Sequence, residues 1–203
     1  MEIYVDLLII KAISVVVLVL SLTTIAEKVS VKTSGFLSGL PLGSSITLVF
    51  FAIEYGIPYV QKTALYNIHG LFAALTFCIA YYLSTFYTGK FGVLFSFIIS
   101  FISYLIVAFI LSFIPPHIVF TPILVFTFLL ICAIYFSKKE DHKIVKTDKV
   151  SIIDLVLRSL LTIGIFLIVT SLPKYLPVNL AGIFSSFPTV LLPLLLIQYR
   201  LFS

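Results

Sequence analysis

Ionisable side chains are scarce inside the long apolar segments of this chain, so the few that occur there are the first candidates for chemistry. Lys11, Glu54 and His69 all fall within such segments. A lysine–glutamate pair beside a histidine can bind a substrate charge or carry a proton. Alternatively, Lys11 reaches the end of its segment through a flexible stem, Glu54 caps a loop and His69 bonds a carbonyl. The sequence favours this structural interpretation, because each residue is near a segment end.

A motif of small, polar and proline residues, V-x3-G-x2-S-x2-P, occurs at 31–41 and again at 178–188. Proline removes a backbone donor and frees a carbonyl about one turn earlier. Inside a membrane, freed groups persist only where protein or a wet cavity satisfies them. The two segments are therefore candidates for a substrate pathway, although small residues also suit close helix packing. The pathway candidates are Gly35, Ser38, Gly39, Pro41, Gly182, Ser185, Ser186 and Pro188.

Other residue types that could do chemistry give weaker signals. Asp154 and Arg158 are spaced i, i+4, which predicts an ion pair near a segment end, with a gate as the alternative. Neither HExxH nor GxSxG occurs, and Cys78 and Cys132 form no CxxC pair. We therefore expect no catalytic residues, no metal site and no cofactor. The positive charge lies next to apolar segments, so a nucleic acid is not an expected partner.

The composition indicates which elements position these residues. Of 203 residues, 61% are hydrophobic and 10% are charged, and the mean hydropathy is +1.24. Soluble domains carry about 45–50% apolar and about 25% charged residues, so an ordinary soluble enzyme is excluded. At about 20 residues per span, the chain predicts an all-α integral membrane protein with about seven transmembrane helices. The predicted spans are about 5–26, 34–56, 62–87, 91–113, a fifth that follows Pro115-Pro116 and continues to 136, and then 151–172 and 178–198.

Basic residues predict the orientation of these spans. Nine of the thirteen lysine and arginine residues fall on one side of the membrane, and only Lys62 and Lys174 fall on the other. Because short basic loops stay in the cytoplasm, the N-terminus is predicted outside and the C-terminus inside. The polar stretch 137–150 is the predicted cytoplasmic loop. The nine residues are Lys28, Lys32, Lys90, Lys138, Lys139, Lys143, Lys146, Lys149 and Arg200.

The first two and the last two spans form an internal repeat at an offset of 147 residues, which aligns Lys11 with Arg158. Copy one covers about 5–57 and copy two about 151–203, with helices at 61–136 and the basic loop between them. Because the first span runs inward and the sixth outward, the copies are inverted, as in many secondary transporters. The second copy stops after two helices, so either the symmetry is partial or a homodimer completes the cavity.

The motif residues resemble those of a known group of proteins. Ala26-Glu27-Lys28-Val29, Gly39-Leu40-Pro41 and Glu54-Tyr55-Gly56, with Gly35 and Leu48 between them, resemble small prokaryotic inner-membrane proteins that are loosely GlpM-like. Those proteins also repeat an arginine-started helix followed by a Gly-Gly-x-Pro-type helix, much like Arg158 to Pro188. The resemblance covers the first three and the last two spans. It implies a transporter-like membrane protein and supplies no established activity or site residues.

These observations predict one transmembrane domain over residues 1–203 in the plasma membrane of a prokaryote, with lipid as its surroundings. The expected function is a small secondary transporter or exporter of a small molecule or ion, working by alternating access between inverted repeat units. A non-catalytic structural or accessory subunit of a membrane complex is the first alternative. A lipid-modifying membrane enzyme is the second.

Overall fold

The computed structural model describes residues 2–28, 41–85, 92–137 and 152–189. These residues form seven α-helices and one short 3-10 helix, Leu172–Lys174, and they contain no β-strand. The expected all-α class is therefore confirmed. The helices are α1 (Glu2–Lys28), α2 (Leu42–Tyr55), α3 (Ile57–Thr85), α4 (Gly92–Ser112), α5 (Phe120–Ser137), α6 (Ile152–Ser171) and α7 (Val178–Phe184).

Two of the described helices are long and apolar enough to cross a membrane. One is α3, with 29 residues, and the other is the stretch Leu94–Ser112 of α4, with 19 residues. A span needs about 20 mostly apolar residues, because the hydrocarbon core of a bilayer is about 30 Å thick. Helix α2 and the apolar parts of α5 and α6 are shorter than this.

The outer faces of the described helices are apolar, whereas many of the buried positions are polar. Large aliphatic and aromatic side chains are exposed along α1, α4, α5 and α6. The buried positions include Thr47, Thr63 and Ser100, whose hydroxyls donate to carbonyls of their own helices. Soluble monomers rarely expose contiguous apolar patches larger than a few hundred Å². This distribution therefore favours apolar surroundings for the exposed faces.

A single glycine separates α2 from α3. Gly56 has a φ of 84°, in the left-handed region that residues with a Cβ avoid. Its amide donates to the Ala52 carbonyl at 3.0 Å and closes α2. Pro58 follows in the first turn of α3, where a helix does not need the missing amide. The helix thus begins at Ile57, five residues before the approximate start of the third predicted span at Lys62.

The predicted break at Pro115-Pro116 is present between α4 and α5. His117 then organises the start of α5 through both its ring and its backbone. The ring Nδ1 accepts a hydrogen bond from the amide of Phe120 at 3.4 Å, and the His117 amide donates to Thr121 Oγ1 at 2.9 Å. These bonds satisfy groups at the helix start that have no partner within the helix.

Two clusters of buried apolar residues make up the core, and α6 contributes to both. The first cluster joins α3, α4, α6 and α7, and the second joins α1, α2 and α6. Val169 belongs to the first cluster and Phe166 to the second. Because these two residues are one turn apart on α6, this helix connects the two parts of the bundle.

Helix α7 packs against α3 with a glycine on each side of the contact. A Cβ on Gly182 would lie 2.6 Å from the carbonyl oxygen of Thr63. A Cβ on Gly70 would overlap the carbonyl oxygen of Ile183 and the hydroxyl of Ser186. Small residues let helix backbones approach closely, so the two glycines set the distance between α3 and α7.

We expect Gly70→Ala to destabilise the protein. The added methyl group would overlap a backbone carbonyl, which moves only if α7 itself shifts, and overpacking of this kind costs about 1–3 kcal/mol. Thermal unfolding of the purified protein in detergent measures the effect. Gly164→Ala is the matched control, since nothing lies within 4 Å of its Cβ position. Alanine favours a helix over glycine by about 1 kcal/mol, so the control should be neutral or slightly stabilising. Equal losses in both variants would contradict the prediction.

Candidate functional site

Lys11 and Glu54 form a buried ion pair between α1 and α2. The Nζ of Lys11 contacts Oε1 of Glu54, and the two side chains are only 4% and 13% exposed. The ammonium also lies 5.7 Å from the centroid of the Phe50 ring, within cation–π range. Lys11 therefore does not reach out of the bundle, and Glu54 binds a lysine instead of capping a loop.

A cavity of about 480 Å³ lies beside this pair. It is formed where α1 begins, α2 ends and the 3-10 helix follows α6, so α1 runs antiparallel to both α2 and α6. Charges of both signs and an apolar wall line the cavity, which gives it the means to bind a small polar ligand. The lining residues are Asp6, Leu7, Ile10, Ile53, Glu54, Tyr55 and Lys174.

His69 contacts a different set of side chains. Its Nε2 lies 3.4 Å from Thr121 Oγ1 on α5, and its ring packs edge-on against Tyr66. The residue is 7% exposed, and its Nδ1 has no hydrogen-bond partner among the described residues. These contacts include neither Lys11 nor Glu54, nor the carbonyl partner expected from the sequence. Of the three ionisable candidates, Lys11 and Glu54 thus form a pair, and His69 contacts other residues.

Helix α7 is shorter than the sequence predicted. It spans Val178–Phe184, whereas the prediction was a helix from 178 to 198, of which 190–198 lie outside the described residues. Pro188 gives the reason, because it has no amide to donate to the carbonyl of Phe184 one turn earlier. The amide of Phe187 donates to that carbonyl instead, at 3.0 Å, and closes a tighter turn. The sequence predicted that Pro188 interrupts this segment, and the backbone leaves the helix at Ser185, three residues before the proline.

Two serines satisfy the carbonyls at the end of α7. Ser185 Oγ donates to the Gly182 carbonyl at 2.6 Å, and Ser186 Oγ donates to the Ile183 carbonyl at 2.7 Å. Both serines are almost fully buried. The polar groups at this break therefore find partners inside the protein, as apolar surroundings require.

Two more polar side chains reach the same break from neighbouring helices, and the sequence reasoning missed both. Asn67 on α3 donates through Nδ2 to Ser185 Oγ at 2.6 Å, and Tyr104 on α4 donates its hydroxyl to the Ile183 carbonyl at 3.2 Å. An amide inside an apolar segment is a signal that could have found Asn67. Nothing distinguishes Tyr104 from the other tyrosines, of which the chain has 11 in all.

Only the last residue of the first copy of the motif, Pro41, lies within the described residues. Pro41 directly precedes α2, and its carbonyl accepts hydrogen bonds from the amide and the hydroxyl of Ser45 at 3.0 and 3.1 Å. Pro41 thus begins a helix, whereas the aligned Pro188 follows one. The candidates outside the described structure are Gly35, Ser38, Gly39 and the side chains of Asp154 and Arg158. Their roles stay predictions.

Comparison with protein-family models, with curated proteins and with solved structures finds no match for this chain. The resemblance to GlpM-like proteins therefore stays a prediction. Function has to be inferred from the ion pair, its cavity and the break after α7.

We expect Lys11→Met to destabilise the protein strongly, because it leaves the Glu54 carboxylate buried and unpaired. Breaking a buried pair from one side costs about 3–5 kcal/mol. Replacing both partners, as in Lys11→Met with Glu54→Gln, should restore much of this stability, since no buried charge then remains. Unfolding midpoints of the two variants in detergent test the coupling. If the double variant is as unstable as the single one, the two side chains do not act as a pair.

Proposed function

We propose that this chain is a small secondary transporter that crosses the plasma membrane of a prokaryote seven times, with its N-terminus outside and its C-terminus inside. A small molecule or ion moves through it by alternating access, past the breaks next to α2 and α7. The observation that carries the proposal is the buried break that follows Phe184.

The shortness of α7 supports a role in transport. Seven residues rise about 10 Å, at about 1.5 Å per residue, which is a third of the hydrocarbon core. The chain then turns inside the bundle, where Ser185, Ser186 and Phe187 are buried. Irregular backbone at membrane depth occurs where it is buried in protein or lines a cavity, and discontinuous helices form the substrate sites of many transporters.

The burial of α1 and α6 supports the inverted repeat on which alternating access depends. Positions 6–22 of α1 align with positions 153–169 of α6. Wherever the burial of both aligned residues is described, the two residues are equally buried or exposed, except at Ser14 with Leu161 and at Leu20 with Leu167. The two helices pack against each other and run antiparallel, which is the relation that inverted copies need. The equivalent buried pairs are Val15 with Thr162, Val19 with Phe166 and Leu22 with Val169.

The proposed topology predicts which sides of the membrane two new cysteines will occupy. In a chain with Cys78→Ala and Cys132→Ala, a cysteine at Glu140 should be protected from an impermeant maleimide in intact cells and react after lysis. A cysteine at Lys174 should react in intact cells, because the proposal places it outside. Labelling of both cysteines from the same side would contradict the inverted arrangement.

Alternating access makes a sharper prediction for Ser185, which is fully buried in the described conformation. With the native cysteines removed, Ser185→Cys should react slowly with a small impermeant thiosulfonate applied to either face of proteoliposomes, because the pathway opens to each side in turn. Thr162→Cys is the matched control, since Thr162 is 1% exposed and lies on α6, away from the break. It should stay unreactive.

Protection of Ser185→Cys from both faces would count against transport. The break would then be a packing device only, as expected for a structural or accessory subunit. Reaction of both cysteines at equal rates would show general loosening of the bundle and would also contradict the proposal.

A further inference from the structure

The cavity beside the ion pair presents both signs of charge on an apolar wall. Asp6, Glu54 and Lys174 line it, and Lys11 contacts Glu54 without being part of the lining. We propose that this cavity binds a small zwitterion with an aliphatic body. The ammonium end of the ligand lies beside Glu54 and Asp6, and its acidic end lies beside Lys174.

Charge balance selects a zwitterion over a simple cation or anion. Among the described residues at this site, Asp6 and Glu54 supply two negative charges, and Lys11 and Lys174 supply two positive charges. A simple ion would add one unmatched charge beside an apolar wall, and an unmatched charge away from water is costly. A zwitterion adds one charge of each sign and leaves the site neutral.

The internal lysine shows how this region holds an ammonium group. Lys11 places its ammonium between the Glu54 carboxylate and the Phe50 ring. Glu54 is also one of the residues that line the cavity, so a ligand ammonium there would lie close to the residue that binds Lys11. Tyr55 adds an aromatic ring to the lining, as Phe50 does for Lys11. The ammonium end of the ligand is therefore assigned to the Glu54 side.

The size and the wall of the cavity fit a small aliphatic body. Small-molecule sites usually enclose about 300–1,000 Å³, and this cavity has about 480 Å³. Leu7, Ile10 and Ile53 supply the apolar part of the lining. Burial of a branched alkyl group against them removes apolar surface from water and so stabilises the complex.

This inference rests on the proposed transport function, because it assigns the class of substrate. The cavity lies at the end of the bundle that the proposed topology places outside, where it would take up or release its ligand. Equilibrium binding in detergent does not depend on movement across a membrane. The binding test and the labelling test can therefore fail independently of each other.

The test compares three matched probes on the full chain, purified in dodecyl maltoside without added lipid. L-Leucine carries both charges, 3-methylbutylamine lacks the carboxylate and 4-methylpentanoate lacks the ammonium. Binding of radiolabelled L-leucine is measured by scintillation proximity, with the other two probes as competitors. We expect each truncated probe to compete at least about tenfold more weakly, because hydrogen bonds to charged groups contribute about 1.5–3 kcal/mol.

Variants identify which end of the ligand meets which residue. Lys174→Met should remove the preference for L-leucine over 3-methylbutylamine. The double variant Lys11→Met with Glu54→Gln keeps the pair neutral, and it should remove the preference over 4-methylpentanoate. Lys62→Met is the matched control, because Lys62 lines a different cavity, with Pro115 and Asn179. Its binding of L-leucine should be unchanged.

Several outcomes would overturn the proposal. One is 3-methylbutylamine or 4-methylpentanoate binding as tightly as L-leucine, and another is L-leucine failing to bind folded protein. Phosphatidylethanolamine carries the same pair of charges in a lipid headgroup, so it is added as a further competitor, with phosphatidylglycerol as its control. Binding of phosphatidylethanolamine without binding of L-leucine would assign the cavity to lipid and overturn the soluble ligand.

Discussion

Polar groups that lie in apolar surroundings need partners inside the protein, and this requirement organises the described structure. The helices satisfy most of the backbone, and buried hydroxyls such as Thr47 and Ser100 return their hydrogen bonds to their own helices. The charge of Lys11 is met by Glu54. The break after α7 follows the same rule, since Ser185 and Ser186 cap carbonyls of that helix. A helix that continued past Phe184 would not need these two serine caps.

The requirement also separates two kinds of polar feature. At the end of α7, serine hydroxyls, the Asn67 amide and the Tyr104 hydroxyl bind one another and the backbone, which makes the break a packed structure in this conformation. At the ion pair, Glu54 satisfies Lys11 and still faces a cavity. The polar groups at the end of α7 are thus enclosed by protein, whereas the ion pair includes a residue that lines a cavity.

The sequence predicted the all-helical class and the break between α4 and α5, because both depend on local physics. Hydropathy indicated the helical class, and the Pro115-Pro116 pair ended α4 as expected, since two prolines cannot continue a helix. The contacts between helices could not be predicted from the sequence. Whether Lys11 pairs with Glu54 depends on the rotation of α1 against α2, which apolar segments do not encode strongly. The sequence predicted an interruption at Pro188, because the proline removes a backbone bond, but it did not predict which side chains meet the freed groups.

Helix α6 connects the cavity with the break. Its C-terminal extension carries Lys174 to the cavity wall, Phe166 packs with α1 and α2, and Val169 packs with Ile183 and Phe187 around the end of α7. Lys174 lies three residues beyond the end of α6, so the chain that reaches the cavity continues directly from the helix that packs against α7. Gly70 and Gly182 let α3 and α7 pack closely, and Val169 of α6 packs beside them against Ile183. Helix α6 and the 3-10 helix that follows it thus meet both the cavity and the end of α7.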